Sequence, residues 1–168
     1  SALDKKISGT GARCRDRRRP RTRAESPPPF STMTSSKRHG RCLCGAVTFK
    51  VTGKLRKVLV CHCSQCRRSS GHLWAATAAP VEAIEIDSQN TLSWYRSSSK
   101  AKRGFCRRCG SSLFWQLDGS SSLSIAAGSL DVPTGLSTQE HIYFDDSSDY
   151  YTVHPDEQIR TGAETVIE

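Results

Sequence analysis

Seven cysteines stand in three tight groups: Cys42-x-Cys44, Cys61-x-Cys63-x-x-Cys66 and Cys106-x-x-Cys109. Spacings this short suit metal chelation better than disulfides, which more often join distant strands. Two thiolates on one tetrahedral zinc sit about 3.8 Å apart, given Zn–S bonds of about 2.3 Å. On an extended segment alternate side chains share a side, so Cys42 and Cys44 are expected to reach one ion. Cys106 and Cys109 close on an ion through a turn, which the following Gly110 suits. Together these four thiolates make a closed structural shell. Cys61, Cys63 and Cys66 give only three sulfurs. A three-ligand site keeps a fourth position for water or a substrate thiol, the arrangement of catalytic zinc. The expectation is therefore two Zn²⁺ per chain. All-thiolate tetrahedral sites favour zinc over iron or cobalt. A single zinc ribbon on Cys63-x-x-Cys66 and Cys106-x-x-Cys109 is the simpler competitor, but it leaves Cys42, Cys44 and Cys61 idle at ligand spacing. The eighth cysteine, Cys14, lies in a tail and receives no role. The His-x-Glu and Pro-Cys-x-x-Cys signature of zinc deaminases is absent.

Around the open trio, His62 is expected to point away from Cys61 and Cys63 and not to ligate. His72 is a candidate for proton transfer or for packing, and His141 for a pocket wall or the core. Arg67 and Arg68 directly follow Cys66 and are candidates for holding an anionic substrate, with solvated surface charge the competing reading. Trp74, Trp94, Trp115, Phe105 and Phe114 are expected in the core or pocket wall. Ser69-Ser70 and Ser97–Ser99 read as loops. No serine has a base placed beside it, and Asp145–Asp149 does not match a calcium loop.

The elements that must position these residues are short strands. Val47, Phe49 and Val51 alternate with Thr48 and Lys50, a period-2 pattern ending at Thr52-Gly53. Val58-Leu59-Val60 runs straight into Cys61. Thr91–Arg96, Ser112–Leu117, Leu123–Ala127 and His141–Phe144 read as further strands, separated by Gly/Ser/Asp/Pro turns. Ser64–His72 has room for one or two helical turns. The expected fold is mainly β, a single small domain. Its bounds are 39–151, between a basic, Pro-rich tail at 1–38 and a C-terminal tail at 152–168. Met33 is the only methionine, so it is an alternative start.

The formal charge of +9 is local. Residues 1–41 hold 12 Lys/Arg against 3 Asp/Glu, and residues 42–168 hold 13 of each. Nucleic acid is thus not an expected partner of the domain itself. Within it, residues 42–110 carry 12 basic and 3 acidic groups, which suits neutralisation of seven thiolates on two Zn²⁺. No 18-residue apolar run marks a membrane span. No apolar leader precedes the cysteines, so a reducing intracellular compartment, the cytoplasm first, is expected. The Arg-rich, acid-poor N-terminus is also compatible with a targeting segment.

Arg41-Cys42-Leu43-Cys44-Gly45-Ala46-Val47, Cys61-His62-Cys63-Ser64-Gln65-Cys66-Arg67 and Gly104-Phe105-Cys106-Arg107-Arg108-Cys109-Gly110-Ser111 together resemble the glutathione-dependent formaldehyde-activating enzyme family, which includes centromere protein V. Ala126–Asp131 and His141-Ile142 continue the likeness, which runs from about Gly40 to Tyr151. The resemblance implies a zinc-stabilised β-tent (Mss4-like) fold. It implies structural zinc on Cys42, Cys44, Cys106 and Cys109, and catalytic zinc on Cys61, Cys63 and Cys66. It also implies a carbon–sulfur lyase acting on a glutathione–aldehyde adduct, of the S-(hydroxymethyl)glutathione synthase type, whose substrate thiol binds the open zinc. Its partners are then glutathione or another small thiol and a small aldehyde. The competing function is a zinc-stabilised, non-catalytic module associated with chromatin or cytoskeleton through the basic tail.

Overall fold

The computed structural model describes residues 37–88 and 90–161. The expected tail, Cys14 and Met33 thus lie outside the described residues, apart from positions 37 and 38. Two sheets carry the described chain. Strands β1 (Arg38–Arg41), β2 (Thr48–Val51) and β5 (Ile84–Asp87) form a three-stranded antiparallel sheet. The alternation at 47–51 does what period 2 requires: Val47, Phe49 and Val51 are buried, while Thr48 and Lys50 are exposed.

The larger sheet has eight strands. They are β3 (Val58–Cys61), β4 (Trp74–Pro80), β6 (Leu92–Arg96), β7 (Ala101–Cys106), β8 (Ser112–Leu117), β9 (Ser122–Ala126), β10 (Thr138–Ile142) and β11 (Ile159–Arg160). Their spatial order is β11-β10-β3-β4-β9-β8-β7-β6. Strand β10 lies parallel to β3 and to β11, and the other pairs are antiparallel. The mainly β architecture expected from the sequence is the one observed. Within the 152–168 segment, Ile159–Arg160 adds the edge strand, tied by an Arg160–Glu140 ion pair of 2.9 Å.

The α-helix α1 (Ser64–Ser70) follows Cys63 and ends where Gly71 takes a left-handed φ of 82°. Ser69 and Ser70, expected in a loop, form its last turn, and both hydroxyls donate to the Cys66 carbonyl. Ser97–Ser99 is a loop between β6 and β7.

The main core gathers Val47, Phe49, Val51, Leu113, Phe114 and Ile125, and it includes Cys42 and Cys106. Burial of each large apolar side chain contributes about 2 kcal/mol. A second cluster joins Cys61, Cys66, Trp74 and Ala76, with Cys63, Trp115, Ala126, Ile142 and Tyr143 packed against it. The two cysteine groups therefore belong to different parts of the interior. Trp94 departs from the expected burial. It is 38% exposed, stacked on Phe114 at 6.2 Å, with the Lys102 ammonium 4.8 Å from its ring centroid.

Candidate metal centres

Cys42, Cys44, Cys106 and Cys109 converge, with their sulfurs all within 4.8 Å of one another. Cys42 follows β1, and the chain then turns, with Gly45 N–H donating to the Cys42 carbonyl at 3.1 Å and Gly45 at φ 74°. The Cys-x-Cys pair is thus carried by a turn and not by the extended segment expected. The glycine makes that tight closure possible. Across the site, Gly110 N–H donates to the Cys106 carbonyl at 2.7 Å, with Gly110 at φ 77°. The Cys42–Cys44 and Cys44–Cys106 sulfur separations are 3.6 and 3.8 Å, close to the edge of a zinc–thiolate tetrahedron, about 3.8 Å. Ser111 links the two turns. Its Oγ accepts from Leu43 N–H at 3.0 Å and lies 3.2 Å from Cys109 Sγ. That hydrogen bond is the main cause that brings the Cys109 thiol down to about 5. Val47 N–H donates to Cys42 Sγ at 3.3 Å.

Cys61, Cys63 and Cys66 form the second group, again with sulfurs within 4.8 Å of one another. Cys61 ends β3, Cys63 caps α1, and Cys66 sits in the first helical turn, where its N–H donates to Cys63 Sγ at 3.4 Å. The helix start is what folds Cys63 and Cys66 toward Cys61. Hydrogen bonds from the Cys61 thiol and then the Cys66 thiol hold Cys63 far below the usual thiol range. Cys61 and Cys66 are buried and Cys63 is half-buried, so access to the trio is from the Cys63 side. The trio is open in ligand number rather than in exposure.

No disulfide joins any of these seven cysteines, and the donor sets, four and three converging thiols, fit a thiophilic tetrahedral ion. Among the described residues no carboxylate or imidazole joins either group.

One residue that sequence reading missed is Arg103, on β7. It is 8% exposed, its Nη2 lies 3.6 Å from Cys66 Sγ, and its guanidinium covers the Trp74 ring at 5.9 Å. Both Arg103 Nη1 and Trp74 Nε1 are buried without a hydrogen-bond acceptor among the described residues. Two unspent donors beside a thiolate cluster make an environment that favours negative charge.

His62 is completely buried and turned from the sulfurs. Its Nδ1 is 2.7 Å from Tyr151 Oη and its Nε2 is 2.8 Å from His141 Nδ1. Burial, then the neighbouring His141, lowers its pKa. Arg67 Nε donates to the His62 carbonyl at 3.2 Å, which makes it a local brace, while Arg68 is exposed on α1. His72 is exposed and packs against Tyr150 and Tyr151. Tyr143 adopts a left-handed φ of 57°, which ends β10 and turns the chain beside the trio.

The family model of the glutathione-dependent formaldehyde-activating enzyme matches residues 37–146, more than half of the chain, and the chain belongs to that family. A Schizosaccharomyces pombe protein named as an uncharacterized lyase is 33% identical over 76 residues, 45% of this chain and 55% of the relative. The chain thus spans about half the length of that curated relative. A crystal structure of a Rhodobacter sphaeroides protein is 26% identical at a TM-score of 0.49, covering 58% of this chain and 91% of that one. No helix among the described residues is long and apolar enough to cross a membrane.

Proposed function

We propose that the chain is a zinc-dependent carbon–sulfur lyase that makes or cleaves the adduct of a thiol, glutathione in the first instance, with a small aldehyde. One observation carries this reading: three converging thiols with no fourth protein ligand among the described residues, set beside a buried arginine. Cys42, Cys44, Cys106 and Cys109 are assigned to a structural zinc, because Cys42 and Cys106 are part of the main core. Cys61, Cys63 and Cys66 are assigned to a catalytic zinc, which when bound supplies Lewis acidity and stabilises thiolate at neutral pH.

The chain's own residues then divide the work. The three cysteines hold the ion and leave one position for a ligand. Arg103 balances thiolate charge at Cys66, and its free Nη1 favours an anion nearby. Trp74, Trp115 and Ile142 keep the cluster apolar, which strengthens each charge interaction. Arg68, exposed on α1, is assigned to a carboxylate of glutathione. In the condensing direction the thiolate sulfur bonds to the carbonyl carbon, the π pair moves to oxygen, and that oxygen takes a proton from solvent. In cleavage the hydroxyl loses its proton, the carbon–sulfur bond breaks, and the pair returns to sulfur.

The test is proton-exchange NMR of formaldehyde and glutathione at equilibrium with the zinc-loaded chain. Catalysed exchange with S-(hydroxymethyl)glutathione, lost in Cys61→Ser, is the expected result. Exchange at the uncatalysed rate would remove this substrate pair.

A further inference from the structure

The completely buried His62 lies between two cysteines of the trio, and both of its ring nitrogens are committed to partners distant in sequence. Its backbone is fixed as well: His62 N–H donates to the Ile142 carbonyl at 3.0 Å. Tyr151 Oη accepts from Ser148 N–H at 3.2 Å and shares a hydrogen bond with His62 Nδ1. His62 Nε2 shares a second hydrogen bond with His141 Nδ1. His141 Nε2 is buried without a hydrogen-bond partner among the described residues and lies 3.3 Å from Glu157 Oε2. Phe144 packs edge-on against His62 at 4.9 Å and closes the remaining side. The segment supplying Tyr151 and Glu157 is pinned in turn. His141 N–H donates to the Gln158 carbonyl at 2.8 Å, and β11 pairs with β10.

We propose that Tyr151 and His141 are positioning residues for the three-cysteine centre, acting through His62 to set the directions of Cys61 and Cys63. Tyr151 lies beyond residue 146, where the family match ends, so the centre depends on a part of the chain outside the matched region. The physical reason is local. Losing either partner leaves a buried ring nitrogen unsatisfied, at a cost of about 1–3 kcal/mol. The ring escapes that cost by rotating, and its Cα lies between the two ligand positions. Partners that hold the surroundings of a metal ligand typically change metal affinity about 10- to 100-fold. Because the quartet lies in a different cluster, the effect falls on one centre only.

The inference rests on the trio being a metal site, and its test separates the two claims. Zinc release from the full-length, zinc-loaded chain to a chromogenic chelator would be followed for wild type, Tyr151→Phe and His141→Gln. The cobalt(II)-loaded forms would be compared by visible absorption. Tyr151→Phe removes one hydroxyl and little else. The expected result is release of the first zinc about ten-fold faster or more in both variants, with an altered cobalt band and an unchanged second phase. Release within about two-fold of wild type in both variants would overturn the positioning role while leaving the metal site standing. Equal acceleration of both phases would also overturn it, since that is general destabilisation. A wild-type chain that holds one zinc would remove the three-cysteine site and this inference with it.

Discussion

Arg103 Nη2 stands 3.6 Å from Cys66 Sγ, across 37 residues of sequence, and places a buried positive charge on the three-thiol cluster. The same strand ends in Cys106, so β7 carries one cysteine of the quartet and the arginine beside the trio. Three thiolates on a divalent ion would leave one net negative charge, which the guanidinium would offset. In a cluster lined by Trp74, Trp115 and Ile142, an uncompensated charge is costly.

Arg103→Gln should therefore lower kcat/KM about 10- to 100-fold, equivalent to about 1.4–2.8 kcal/mol of transition-state stabilisation. Arg103→Lys keeps the charge but loses the planar fork, and it should recover only part of the loss. Steady-state kinetics on metal-replete protein checks both. Wild-type activity in Arg103→Gln would remove Arg103 from the mechanism.

The two centres should fail differently. Cys106 is fully buried in the main core, and Cys106→Ser should abolish cooperative thermal unfolding, because structural zinc contributes folding energy directly. Cys61→Ser should abolish turnover while keeping the melting temperature within about 5 °C of wild type. Calorimetry and activity on the same samples decide. Equal loss of folded protein in both variants would contradict the division into structural and catalytic sites.

Gly110 adopts φ 77° with open space where a Cβ would sit, so Gly110→Ala meets a backbone penalty and no steric clash. The expected cost is about 1–2 kcal/mol. It should appear as a lower urea midpoint with zinc content unchanged. A larger loss, with zinc released, would mean that the turn is less able to hold Cys106 and Cys109 than its hydrogen bond indicates.

Both cysteine groups could be read from the sequence because chelation spacings are local: two or three residues fix which sulfurs can meet. The alternating strand at 47–51 was readable for the same reason. Strand β4 was not, because Trp74-Ala75-Ala76-Thr77-Ala78-Ala79-Pro80 is rich in alanine and its pairing with β3 and β9 overrides weak propensity. Strand β7 was hidden by its lysine, arginine and glycine, and Arg103 with it. The direction of His62 followed from its place between two ligands. Its partners His141 and Tyr151 did not, since they are 79 and 89 residues away and are brought close by the β3–β10 pairing and the turn after it. The turn at Cys42–Gly45 shows a different limit. A Cys-x-Cys pair converges from a tight turn as well as from a strand, and spacing alone does not separate the two.

The central claim is that one closed and one open zinc centre share this chain, and zinc stoichiometry under mild chelation tests it most directly. The prediction is two zinc ions per chain, one lost to the chelator with the circular dichroism spectrum unchanged and the other retained until the protein unfolds. One zinc per chain, leaving only on unfolding, would contradict the account and point to a binding module without an open metal site.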